Sequence, residues 1–217
     1  MKAVFSVMLF NCLLINSLFS QALHQASLYN PGIRMMDQAQ TLDEYLDTVH
    51  YFEELARKFP SHWLARYYSG LGYLHASYRI EGNKAKDGLM DRAQVHIDEA
   101  FKLRPGDAEI HVLQAFLYQS RLQVNPELRG LSYSQKAEAS IKKAVAANPS
   151  NPRAYFLRAC NIYYTPAMFG GGAKKALSIF MEAREKYQAF KPEMPILPDW
   201  GEKDNQQMLE ECNRQFN

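Results

Sequence analysis

The chain of 217 residues predicts an all-α solenoid of helical hairpins, and three observations carry that expectation. Pro60, Pro105 and Pro149 stand 45 and 44 residues apart, each closing a segment of helical pattern. Within those segments, small and large apolar residues recur at offsets of four and three, which places them on one helical face. After each proline a second helical segment opens, and a small residue sits ten positions on, at Gly70, Ala115 and Ala159. Composition agrees, since 47% hydrophobic and 22% charged residues suit a globular chain with one sizeable core.

Residues 1–22, MKAVFSVMLFNCLLINSLFSQA, have the layout of a secretory signal peptide. Lys2 supplies the positive start, an apolar run follows, and small residues stand at Ser17, Ser20 and Ala22. Cleavage is expected after Ser20 or Ala22. The run is short and polar-spotted for a span of about 20 apolar residues, so no membrane span is expected after cleavage. Cys12 lacks the small preceding residues of a lipidation site. The mature chain is therefore expected outside the cytoplasm, in a periplasm or secreted. Residues 23–40 show no clear periodicity and read as a leader segment.

Residues 41–188 hold the repeats. Ala93, Ile97, Ala100 and Pro105 match Ala137, Ile141, Ala144 and Pro149 at every interval. A looser copy runs through Thr48, Phe52, Leu55 and Pro60, and a fourth through Ala176, Phe180 and Ala183. The alanines let a neighbouring helix approach closely, and the proline cannot continue the helix it follows. Ser61, Asp107 and Asn151 are the expected N-caps of the second helices, with Pro152 in a first turn. Between the helices of each pair lie IEGNKAKDG, VNPELRGLS and TPAMFGG, expected as long loops on one edge of the array. Residues 189–217 form a proline-rich segment (Pro192, Pro195, Pro198) and a short C-terminal capping helix.

The small, bulky, small and proline positions of residues 41–188 resemble the tetratricopeptide repeat family. The resemblance implies a right-handed solenoid of about three and a half repeats, long loops within the repeats, and a protein or peptide partner. In that family the first helix of each pair lines a concave groove. Carried onto this sequence, the groove positions are Leu64, Tyr67, Leu71, Leu74 and His75, then Glu109, Val112, Phe116, Gln119 and Ser120. The third set is Arg153, Phe156, Cys160, Tyr163 and Tyr164. This lining is unusually apolar and aromatic, so it needs an occupant. Two are open to it: the chain's own tail, or a hydrophobic ligand or peptide.

Other chemistry finds little support. Gly170, Gly171, Gly172 and Lys174 offer a helix start that could hold an anion, but no Ser or Thr follows the lysines as a phosphate loop requires. The histidines form no metal-binding pattern, and no nucleophile motif occurs, so neither a cofactor, a metal nor an enzymatic activity is expected. A net charge of +2 without a basic run gives no reason to expect nucleic acid. Cys160 and Cys212 remain after processing, open either to a disulfide or to two free thiols. The resulting expectation is an exported interaction or assembly scaffold of the bacterial cell envelope. Its alternative is a periplasmic solute-binding accessory of a transporter. The proline loop running into FGG is similar to one in the T component of TRAP transporters, which implies a small apolar or acidic solute.

Overall fold

The computed structural model describes residues 25–215; the expected signal peptide lies outside them. The described residues form nine α-helices and no strand. Helix α1 covers residues 25–38, followed by α2 (Leu42–Lys58), α3 (Trp63–Ser77), α4 (Asn83–Leu103) and α5 (Ala108–Val124). Then come α6 (Pro126–Ala147), α7 (Pro152–Tyr164), α8 (Ala173–Ala189) and α9 (Glu202–Arg214). Each helix from α2 onward packs on the next, and α5 also touches α3 and α7. The even-numbered helices α4, α6 and α8 therefore back an inner layer of α3, α5 and α7.

Local chemistry sets the helix starts. Thr41 and Glu44 close a reciprocal capping box on α2. Asp107 accepts from the Glu109 N–H at 2.9 Å, and Asn151 from the Arg153 N–H at 3.0 Å. The expected cap Ser61 is displaced: His62 holds the N-cap of α3, without a side-chain cap bond. Packing follows the repeat positions. Ala93, Ile97 and Ala100, their counterparts Ala137, Ile141 and Ala144, and Ala176, Phe180 and Ala183 are fully buried.

Three expected irregular regions are helical. IEGNKAKDG and VNPELRGLS are largely the opening turns of α4 and α6, leaving TPAMFGG as the long connection. Arg129 grips Asp87 with two bonds of 2.7 and 2.8 Å, and Arg121 reaches Asp91 at 2.6 Å. Ion pairs, not an apolar stripe, thus hold these extra turns. Of the expected leader, residues 25–38 are helical, and α1 buries Tyr29 and Met36 against the first hairpin.

Residues 190–201 form a strap across the inner layer. Phe190 lies against the Arg153 guanidinium at 4.6 Å, and the Ile196 carbonyl accepts from the Tyr68 hydroxyl at 2.8 Å. The strap then returns, and the Trp200 indole N–H donates to the Tyr67 hydroxyl at 2.8 Å. Gly201 has φ 98°, and a Cβ there would lie 2.3 Å from the Tyr187 hydroxyl oxygen. Gly201→Ala is therefore expected to lower stability by about 1–3 kcal/mol, combining a left-handed φ with a steric clash. Equilibrium urea unfolding checks this, and an unchanged midpoint would contradict it.

Candidate functional site

The strap divides the expected groove residues into two groups. Tyr67, Leu71, Leu74, Val112, Arg153 and Phe156 are buried, so their side chains line no open surface. Arg153 is wholly enclosed; its Nε donates to Glu109 at 2.9 Å, and Asn151 donates to the same carboxylate at 2.8 Å. Its charge is neutralised internally and is not offered to a ligand. Most of these residues lie in the first halves of α3, α5 and α7, where the strap makes its polar contacts. That part of the groove is occupied by the chain itself.

Toward the ends of the same helices some positions stay partly open, although Leu71 and Leu74 are buried there and Trp200 of the strap lies 5.6 Å from Phe116. His75, Phe116, Gln119, Cys160 and Tyr163 are half-buried, while Tyr164 is 64% exposed. Two residues that the groove positions missed adjoin this surface, the exposed Tyr78 just after α3 and Tyr45 of α2, which is itself buried. The antiparallel run of α2 brings Tyr45 to the end of α3, where it stacks on His75 at 5.4 Å and 20°. His75 meets Phe116 edge-on at 5.8 Å, and Tyr78 stacks on Phe116 at 6.2 Å. Arg79 stands over Tyr45 at 5.8 Å, with its side chain exposed. Ser120, expected in the groove, is buried and shares a 2.8 Å hydrogen bond with Tyr78. Gln119 is engaged across the layer, donating to the Leu157 carbonyl at 2.7 Å. Tyr163 accepts from Gln215 at 2.7 Å, which sets the end of α9 beside this surface.

Low polarity shapes the titration of the shelf. Burial pushes the Tyr78 and Tyr164 phenols up, and the Cys160 thiol with them, so all three stay protonated at neutral pH. Burial acts oppositely on His75, and Arg79 adds to it, lowering its pKa from 6.5 to about 4. Its imidazole is thus neutral across the physiological range.

The remaining candidates separate clearly. The three glycines make no anion cradle, because their N–H groups are already engaged. Gly170 donates to Ala167 at 2.9 Å, Gly171 to Pro166 at 3.3 Å, and Gly172 to Ile162 at 2.9 Å. Lys175, not Lys174, folds back and caps the Gly170 carbonyl at 2.9 Å. A Cβ at Gly171 would stand 2.1 Å from the Thr165 carbonyl oxygen, so this glycine serves the close turn. Cys160 and Cys212 carry free thiols and are not bonded. Among the described residues, no cluster of His, Cys, Asp or Glu could hold a metal ion, and no helix is long and apolar enough to cross a membrane.

Beyond the shelf the edge of the array is apolar. Ser134 of α6 faces Asn161 of α7, donating to its Oδ1 at 3.1 Å. One turn further out along these antiparallel helices stand Leu131 (77% exposed) and Tyr164, and beyond them Leu128, Met168 and Phe169.

The depressed His75 pKa has a thermodynamic consequence. The unfolded chain takes up this proton near pH 6.5 and the folded chain only near 4, so its stabilising contribution is complete above 6.5 and lost as pH falls through that window. The unfolding free energy, measured by urea titration at a series of pH values, is expected to drop by on the order of 1–3 kcal/mol over that interval. His75→Gln should flatten the part of the slope above pH 5, and an unchanged slope would contradict the assignment.

No protein-family model matches the sequence, and no curated protein is similar to it. Solved structures are. A thermophilic TPR protein from Thermus thermophilus shares the fold with TM-score 0.56 and 16% identity, covering 91% of this chain and 94% of that one. The HusA haemophore from Porphyromonas gingivalis superimposes with TM-score 0.78 and 32% identity, covering 88% of this chain and 94% of that one. The described architecture is therefore a tetratricopeptide-like helical solenoid, and at that identity and coverage the chain belongs to the family of the HusA haemophore.

Proposed function

We propose that this protein binds haem or a related porphyrin on the aromatic shelf left open by the strap. The carrying observation is the likeness to a haemophore over nearly its whole length, combined with a partly open group of rings at His75, Phe116 and Tyr78, backed by the buried Tyr45. A porphyrin is flat and largely apolar, so it stacks on such rings, while its two carboxylates call for a cation at the rim. Arg79 supplies that cation beside Tyr45. This reading sharpens the expectation of a small apolar or acidic ligand, assigns no catalytic role, and goes with a mature chain that works outside the cytoplasm.

A separate observation favours a protein partner as well. Leu128, Leu131, Met168 and Phe169 are each at least 72% exposed on one edge, the arrangement an assembly scaffold would present. Replacing Leu131 and Phe169 together by Glu should abolish co-purification of a partner from the native envelope while leaving porphyrin binding unchanged. If the double variant retrieves the same partner, the edge is not its docking surface.

Porphyrin capture is tested by titrating the purified chain with ferric haem and with metal-free protoporphyrin IX. Trp200 lies 5.6 Å from Phe116, so its fluorescence should be quenched saturably by either compound. Phe116→Ala should weaken both by on the order of tenfold, the loss of one stacking anchor. Absence of saturable quenching by both compounds would refute the reading.

A further inference from the structure

The connection between α7 and α8 ends in a short turn, Ala167–Phe169, that carries two large apolar side chains into solvent. Met168 is 84% exposed and Phe169 72%, and Leu131 of α6 stands beside them at 77%. The turn is braced and not free to fold back onto the core. Gly170 and Gly171 donate to the carbonyls of Ala167 and Pro166, and the Lys175 ammonium closes on the Gly170 carbonyl at 2.9 Å. Side chains this bare project from the surface and have few walls of their own protein around them. Charge around the turn has one sign. From Ala139 to Met181 the chain carries no acidic residue. The two arginines of that stretch are already paired, Arg153 with Glu109 and Arg158 with Glu138. At the turn itself the charges left without a carboxylate among the described residues are Lys174 and Lys175, both exposed.

We propose that this turn docks on an anionic lipid surface. Met168 and Phe169 enter the acyl boundary beside Leu131, while Lys174 and Lys175 meet the phosphates of the headgroups. Projecting apolar side chains need a matching socket if they are to bury in a protein, whereas a fluid apolar phase accepts them without one. An adjacent cationic pair adds attraction to anionic lipid, by about 1 kcal/mol for each lysine close to the surface. Tyr164, 64% exposed, has the apolar ring and polar tip that suit the level between headgroup and acyl chain. The nearest acid of α6, Glu127, sits by Leu128 at the far end of the patch, and Glu211 of α9 is held by Arg214. Neither faces the lysines with an unpaired charge of its own at the turn. This goes beyond the protein-partner reading of the same edge, and it does not depend on porphyrin capture. It has a consequence for capture all the same. The ring of Tyr164 packs edge-on against Tyr163 at 5.0 Å, so docking turns the end of the shelf toward lipid, the phase in which a flat apolar ring dissolves.

The experiment is vesicle flotation of the chain purified without the apolar residues 1–22, which would bind lipid by themselves. Vesicles of phosphatidylcholine alone are compared with vesicles that are about one-third phosphatidylglycerol. Wild type is expected to bind the mixed vesicles on the order of tenfold more tightly, and added salt should weaken that binding. Met168→Ser combined with Phe169→Ser should reduce it by on the order of tenfold or more. Lys174→Gln combined with Lys175→Gln should bring it close to the level seen with phosphatidylcholine alone. Thermal melting checks that both variants are folded, and the salt series on wild type needs no substitution. Wild type that floats with neither vesicle, or equally with both, would overturn the proposal. So would a folded Met168 and Phe169 variant that binds as wild type does. Attachment to native envelope vesicles but not to vesicles of their extracted lipid would give the edge to a protein partner and exclude lipid docking. None of these outcomes bears on porphyrin capture, which fluorescence quenching tests separately on the shelf.

Discussion

One hydrogen bond, from the Trp200 indole to the Tyr67 hydroxyl, fixes how this solenoid uses its inner surface. It joins residues 133 positions apart and pins the returning limb of the strap against α3. With Tyr68 holding Ile196, and Tyr187 donating to the Trp200 carbonyl at 3.2 Å, the tail is anchored on both the first and last hairpins. Burying the Tyr67 hydroxyl without a partner would be costly, and the indole needs an acceptor for the same reason. Each group therefore satisfies the other. Everything on the concave side follows from where that contact sits, because it determines which half of the groove is interior and which remains surface.

The repeat core was legible in the sequence because its determinants are local. Alanines at offsets of seven, a large residue between them and a closing proline specify a helix face without reference to the rest of the chain. Asp107 and Asn151 could be recognised as caps for the same reason. Groove positions were assigned on α3, α5 and α7 from helix spacing, and which of them the chain itself covers was not legible there. Whether Tyr67 or His75 meets solvent depends on a contact with residues near 200, and no local pattern encodes it. The opening turns of α4 and α6 escaped notice because their stability comes from ion pairs such as Arg129 with Asp87. Helix α1 was not legible because residues 23–40 lack clear periodicity, and it contains Pro31 and Gly32. A Cβ at Gly32 would lie 2.6 Å from the rings of Tyr51 and Phe52, so the glycine there permits close packing.

The shelf also shows how one environment acts differently on different side chains. Removing water disfavours charge, so phenols and thiols are held protonated and the imidazole is held neutral by the same physical cause. The surface is aromatic in shape and uncharged in its floor, with Arg79 as a cation at the margin. The fully enclosed charge in the groove, Arg153, belongs to the covered half and is matched by Glu109. Enclosing the Arg153–Glu109 pair under the strap and leaving His75, Phe116 and Tyr78 partly open gives the two ends of one groove distinct chemistry.

The strap carries a last implication, for biosynthesis. Translation delivers the chain from its N-terminus, so α3, α5 and α7 emerge before residues 190–201 that shield them. A nascent or truncated chain ending near residue 189 displays Tyr67, Tyr68 and Phe156 as bare apolar surface, the kind of surface that chaperones engage and that drives aggregation. The finished protein hides that surface with its own final segment. Self-shielding arrives late, and the vulnerability it removes is confined to the interval before the tail has docked.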